Sequence, residues 1–264
     1  MTMMAIASRA ANHQFSRRNL IKSAGVVGLG MTLGQARLIR TLAQESEDLN
    51  TIINIASTAE SLAVTLLGHA IESAQQGGYD KEVPDPVVNI LISARAAEHY
   101  HLDYLLKAGA QPLTQTFTVP DPALLTSYDT FFTTVVQLEA AFIAAYIAAA
   151  REFTALKQPE LVKVAHMVAS VEAEHRVLAN YALGTRPANN LAFEAATFGT
   201  VGEAAKALTD LGFINGTGQT VNYPGPGDIA RGSIHYRSPY GPSVACITGG
   251  EGTPEATPGA TPVS

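Results

Sequence analysis

Two stretches of the chain hold a glutamate and a histidine three residues apart within otherwise apolar sequence. Glu98 and His101 lie in ARAAEHYHLD, and Glu172 and His175 in ASVEAEHRVL. In a helix, residues three apart share a face, so each pair offers a carboxylate and an imidazole in one direction. Two further glutamates interrupt apolar stripes of helical spacing. Glu60 falls within Leu49, Ile53, Ala56, Glu60, Ala63, Leu67, Ile71, and Glu139 within Phe132, Val135, Glu139, Phe142, Tyr146, Ala149. A charge on the apolar side of a helix is costly unless something pairs with it. Four carboxylates converging in a dry core would repel one another, and two imidazoles alone would not neutralise them. Two divalent cations would.

These residues must be carried on long helices, and the punctuation supports four. The first runs from about Glu47 to Gln76 and stops at Gly77-Gly78. The second opens at Asp85-Pro86 and ends at Gly109. The third opens at Asp121-Pro122 and continues to about Leu156, and the fourth runs from Pro159 to near Gly184. Glu98 lies twelve residues past Pro86, and Glu172 twelve past Glu160. Glu60 and Glu139 are also near the middle of their helices, so all six side chains are expected at one height. Between the second and third helices, Ala110 to Pro120 includes the alternating Thr116-Phe117-Thr118-Val119, read as extended chain. Roughly a dozen extended residues can run the length of a twenty-residue helix, about 30 Å. After Gly184 the sequence turns rich in Gly and Pro, with one modest helix from about Val201 to Leu211.

One Glu on each of two helices, Glu-x-x-His on each of the other two and a long central crossover resemble the ferritin-like di-iron and di-manganese carboxylate proteins. The resemblance covers roughly residues 45–184. It implies an all-α, ferritin-like four-helix bundle in which Glu60, Glu98, His101, Glu139, Glu172 and His175 hold two iron ions or, alternatively, two manganese ions. It implies further that Glu98 and Glu172 bridge the metals and that each histidine binds one. Tyr146, two turns beyond Glu139, is either a hydrogen-bond donor to a ligand or a core tyrosine satisfied elsewhere. The expected activity is that of a di-iron oxidase or ferroxidase, with dioxygen or peroxide as the small-molecule substrate. A dimanganese catalase is the nearest alternative, and a metal-free or structurally metallated stress or interaction protein is another. Haem ligation between subunits and a cysteine-bound iron module are not expected, because the second helix has no Met and the chain has one cysteine, Cys246. A homodimer, not a cage, is the expected assembly.

Ser16-Arg17-Arg18-Asn19-Leu20-Ile21-Lys22 precedes a Gly-rich apolar run from Ala24 to Leu33. This resembles the twin-arginine export signal, and with the bundle it resembles the secreted ferritin-like group that includes desiccation-related proteins. Residues 1–40 are therefore read as the signal, 45–184 as the bundle, 185–248 as an irregular extension and 249–264 as a disordered tail. The expected location is periplasmic, cell-surface or secreted, with a membrane tether only if the signal stays uncleaved. A net charge of −6, without Lys/Arg clusters after residue 40, excludes the electrostatic footprint of a nucleic-acid binder. The remaining polar residues receive plainer readings. His99 is expected to point sideways from the site, His69, His166 and His235 to be surface or satisfied core groups, and Glu174 and Arg176 to form the solvated face of the fourth helix.

Overall fold

The structure, a computed structural model, describes residues 46–225, 234–235 and 237–240. The segment read as a twin-arginine signal, Cys246 and the low-complexity tail lie outside the described residues.

Four long helices form the bundle: α1 (Leu49–Gln76), α2 (Asp85–Lys107), α3 (Tyr128–Ala155) and α4 (Pro159–Ala182). The Asp48 side chain caps α1 by accepting from the Thr51 N–H, and Gly77 ends it at φ 69°, a left-handed conformation that suits glycine. Pro86 and Pro159 occupy first turns, where the missing N–H costs nothing. Asp85 itself belongs to α2, and the cap position falls on Pro84. At Asp121-Pro122 the reading is corrected. The Asp121 side chain caps a single 3-10 turn, Pro122–Leu125, and α3 begins only at Tyr128. The Tyr128 N–H there donates to Asp80, in the turn between α1 and α2.

The crossover runs along α1. Gln111 N–H donates to Asn54, Leu113 N–H to Thr58, and Ser73, near the far end of α1, donates to the Leu125 carbonyl. The chain therefore travels most of the helix's length before α3 starts beside the α1–α2 turn, so α2 and α3 run in the same direction. Residues Thr116–Val119 are more than extended chain. They form β1, which pairs antiparallel with β2 (Gln219–Asn222) from the C-terminal extension, Phe117 opposite Val221. Phe117, Val119 and Val221 turn inward to pack with Leu62, Leu66, Leu138, Phe142, Leu208 and Phe213. The extension is thus anchored to the bundle by a two-stranded sheet as well as by its helix, α5 (Val201–Asp210), which lies against α1 and α3. Both α1 and α3 are long and apolar enough to cross a membrane, but here their apolar surface is mostly buried in the bundle core.

Candidate metal centre

The six expected donors meet in the bundle interior. Glu60 from α1, Glu98 and His101 from α2, Glu139 from α3, and Glu172 and His175 from α4 form two overlapping groups. One is Glu60, Glu98, His101 and Glu172, and the other is Glu98, Glu139, Glu172 and His175. In each group one donor atom per residue lies within 4.8 Å of all the others. Glu98 and Glu172 belong to both. Glu98 and Glu172 are fully buried, Glu60 and Glu139 nearly so, and His101 retains a small exposed edge. Helical periodicity brings this about. Each glutamate occupies the turn where its helix would otherwise contribute an aliphatic residue to the seam. The polar neighbours Ser57, Ser61 and Thr65 on α1 turn their hydroxyls to their own helix carbonyls and leave the cluster alone.

Both imidazoles aim Nδ1 at the carboxylates. His101 Nδ1 lies 3.2 Å from Glu172 Oε1, 3.3 Å from Glu98 Oε2 and 3.5 Å from Glu60 Oε2. His175 Nδ1 lies 2.8 Å from Glu98 Oε1, 3.3 Å from Glu172 Oε2 and 3.9 Å from Glu139 Oε1. One ring nitrogen can donate one proton, so most of these contacts are close approaches without hydrogen bonds. Four buried oxygens, Glu60 Oε2, Glu98 Oε1, Glu139 Oε2 and Glu172 Oε1, have no hydrogen-bond partner. Buried carboxylate oxygens left in that state are expensive. Two donors at right angles on metal bonds of about 2.1 Å stand about 3.0 Å apart, close to most of the spacings here. The donor set, carboxylate oxygen with one imidazole nitrogen per group, suits a divalent transition metal. The residues fit a metal ion on each side of the Glu98–Glu172 pair.

The electrostatics agree. Burial would drive both imidazoles towards the neutral form, but the facing carboxylates override it. His101 is held well above the ordinary imidazole value and His175 is raised to about 10. Burial raises Glu60 well above the usual carboxylate range despite His101, and burial together with Glu172 and Glu98 does the same to Glu139. Glu98 goes the other way. Burial opposes its ionisation, yet His175 and His101 hold it below the usual range. In the protein without metal, protons carry the balancing charge that cations would supply, so metal binding must release protons.

Tyr146 settles one open alternative, since its hydroxyl donates a hydrogen bond to Glu60 Oε1 from α3 across to α1. His99 is buried and belongs to neither donor group. His166 and His235 are exposed and His69 is partly exposed, as expected. Arg176 corrects its reading. It is buried and pairs with Glu194 at 2.9 Å, tying the extension to α4, while Glu174 is exposed. Sequence reasoning missed Glu152, which is fully buried on α3 yet outside the cluster. It accepts from the N–H groups of Glu47 and Val201, each at 2.9 Å. No local signal separates it from a surface glutamate near a helix end, because its partners lie about fifty and a hundred residues away.

Residues 48–185, just over half the chain, match the family model of the Ferritin-like domain. The matched span contains all six cluster residues and Tyr146. No curated protein and no solved structure gives a significant match.

Proposed function

Since the chain belongs to the ferritin-like domain family, we propose that it is an exported di-metal protein whose buried centre holds two iron ions and reacts with dioxygen or peroxide. The observation that carries this reading is the sharing of Glu98 and Glu172 between two donor groups, each completed by its own histidine and its own further glutamate. A single metal would not use both histidines, and a purely structural ion pair would not leave four buried carboxylate oxygens without a hydrogen bond. When bound, iron in such a centre supplies one-electron redox steps and open positions for an oxidant.

The chain's own residues supply the surroundings. Glu98 and Glu172 face both halves, Glu60 with His101 completes one, and Glu139 with His175 completes the other. Tyr146 holds Glu60 Oε1 by its hydroxyl proton and so turns Oε2 towards His101. Aliphatic packing on all four helices keeps bulk water from the charges, which strengthens every interaction among them.

The test is elemental analysis of purified protein beside activity. About two irons per chain with oxidation of ferrous iron support the reading. Because the bridging pair is shared, Glu172→Ala should lose both metals, whereas Glu139→Ala should retain the one on the His101 side. Two manganese ions with peroxide disproportionation would replace the iron reading by a dimanganese catalase. Protein that carries less than about one metal per chain, with Glu139→Ala more stable than the parent, would mark a metal-free scaffold and end the enzyme reading.

A further inference from the structure

Two small cavities share Tyr146 as a wall residue. One, of about 30 Å³, lies between α1, α3 and α5 and is lined by residues including Ala56, Ala59, Ala145, Tyr146, Ala149 and Leu208. The other, of about 20 Å³, lies among α1, α2, α3 and α4 and reaches His101, with Leu105, Phe153 and Val168 on its walls. Ala56, Tyr146 and Ala149 line both, so these three side chains stand between the cavities, one of which lies beneath α5 and the other on the His101 side of the cluster.

We propose that these cavities are the route by which dioxygen reaches the centre, with Ala56 and Ala149 as the residues that keep it open and select for it. The inference rests on the di-metal reading above and narrows its oxidant to dioxygen. Size is the first argument. A site for one water needs about 10–15 Å³ on this measure, so the two cavities admit a molecule of a few atoms and no organic substrate. Chemistry is the second. Side chains other than Tyr146, His101 and Tyr104 offer no polar atom to either cavity. Hydrogen peroxide would surrender hydrogen bonds to water on entering and regain few, as would a hydrated ferrous ion. Dioxygen has none to lose. Position is the third. Alanine stands at both shared aliphatic positions, where any larger residue would project into the junction. The outer cavity is roofed by Val201, Ala204, Ala205 and Leu208 of α5, and Glu152 and Glu47 hold the N-terminal amides of that helix.

The test uses the full chain loaded with iron, together with xenon, which occupies apolar cavities without doing chemistry. Crystals pressurised with xenon should show it beside Tyr146, and Ala149→Leu should exclude it. In solution Ala149→Leu should leave the iron content unchanged and slow reoxidation of the ferrous protein by dioxygen by roughly ten-fold, while oxidation by hydrogen peroxide keeps its rate. Ala149→Val and Ala56→Val, smaller intrusions, should show the same order at lower amplitude if the leucine variant misfolds. Xenon absent from these cavities, or filled variants that react with dioxygen at the parent rate, would overturn the route. Equal slowing of dioxygen and peroxide would overturn the selectivity. Xenon bound in protein that takes up no metal would sink the di-metal reading and the route with it, whereas an iron-loaded protein without xenon loses the route alone.

Discussion

Glu152 on α3 accepts a hydrogen bond from the Val201 N–H at 2.9 Å through one carboxylate oxygen and from the Glu47 N–H at 2.9 Å through the other. A fully buried acid thus fastens the first residue of α5 and the residue before the cap of α1 to the same point. Glu47 in turn accepts from the Gly202 N–H with its own carboxylate, 2.9 Å at the nearer oxygen. The extension depends on this junction at one end and on the β1–β2 pair at the other.

Replacing Glu152 by Leu should leave the buried Val201 N–H and the part-buried Glu47 N–H without partners and lower stability by about 3 kcal/mol. For a domain of this size that is a fall of roughly 6–12 °C in melting temperature. Limited proteolysis should cut first near residue 200. Glu152→Gln, which can still accept at one oxygen, should fall between the leucine variant and the parent. A leucine variant that melts with the parent would show that the junction contributes nothing.

Without metal, the cluster should make stability depend on pH in a defined direction. His175, ordinarily near 6.5, is raised to about 10 in the fold, so its stabilising term is complete below 6.5 and is lost as pH rises through 10. Glu60 and Glu139, raised above their ordinary 4.5, weaken the fold as pH climbs past that value. Glu98, lowered, contributes above 4.5 and loses its contribution as pH falls below it. The chelator-treated protein should therefore melt highest near pH 4.5 and weaken progressively towards alkaline pH. Metal needs the deprotonated donors, so the gain in melting temperature on adding ferrous or manganous ion should grow from about pH 5 to about pH 8. A gain that shrinks over that range would contradict the donor assignment.

Tyr146→Phe removes the donor to Glu60 Oε1 and leaves a fifth buried carboxylate oxygen without a hydrogen bond. Metal affinity should fall by about 10–100-fold, with the larger loss at the His101 half. A Glu60→Gln, Tyr146→Phe double variant tests the pairing. If the hydroxyl acts through Glu60, the two losses will not add.

The proposed export rests on Arg17 and Arg18 followed by the Gly-rich apolar run. Replacing both arginines by lysine should hold the folded protein in the cytoplasm, as read by cell fractionation. Undiminished export of that variant would exclude the twin-arginine route.

The six donors were legible in the sequence because a helix repeats every 3.6 residues. Once Glu60, Glu98, Glu139 and Glu172 fall on apolar stripes at similar distances along four helices, burying those stripes brings the carboxylates together, and Glu-x-x-His puts each imidazole beside its acid. The bundle and its crossover were legible for the same reason, from local periodicity, Gly and Pro punctuation and chain reach. Tertiary structure alone decided the rest, since it joins residues whose partners are distant in sequence. Thr116–Val119 become a strand only because Gln219–Asn222 arrive to pair with them. Arg176 is buried only because Glu194 folds back over α4, and Glu152 tolerates full burial only because α1 and α5 both present unpaired amides to it. The two apolar cavities that share Tyr146 are of this kind as well. Small residues on α1 and α3, Ala56 and Ala149 among them, line both, an arrangement set by how the helices pack rather than by any spacing within one of them.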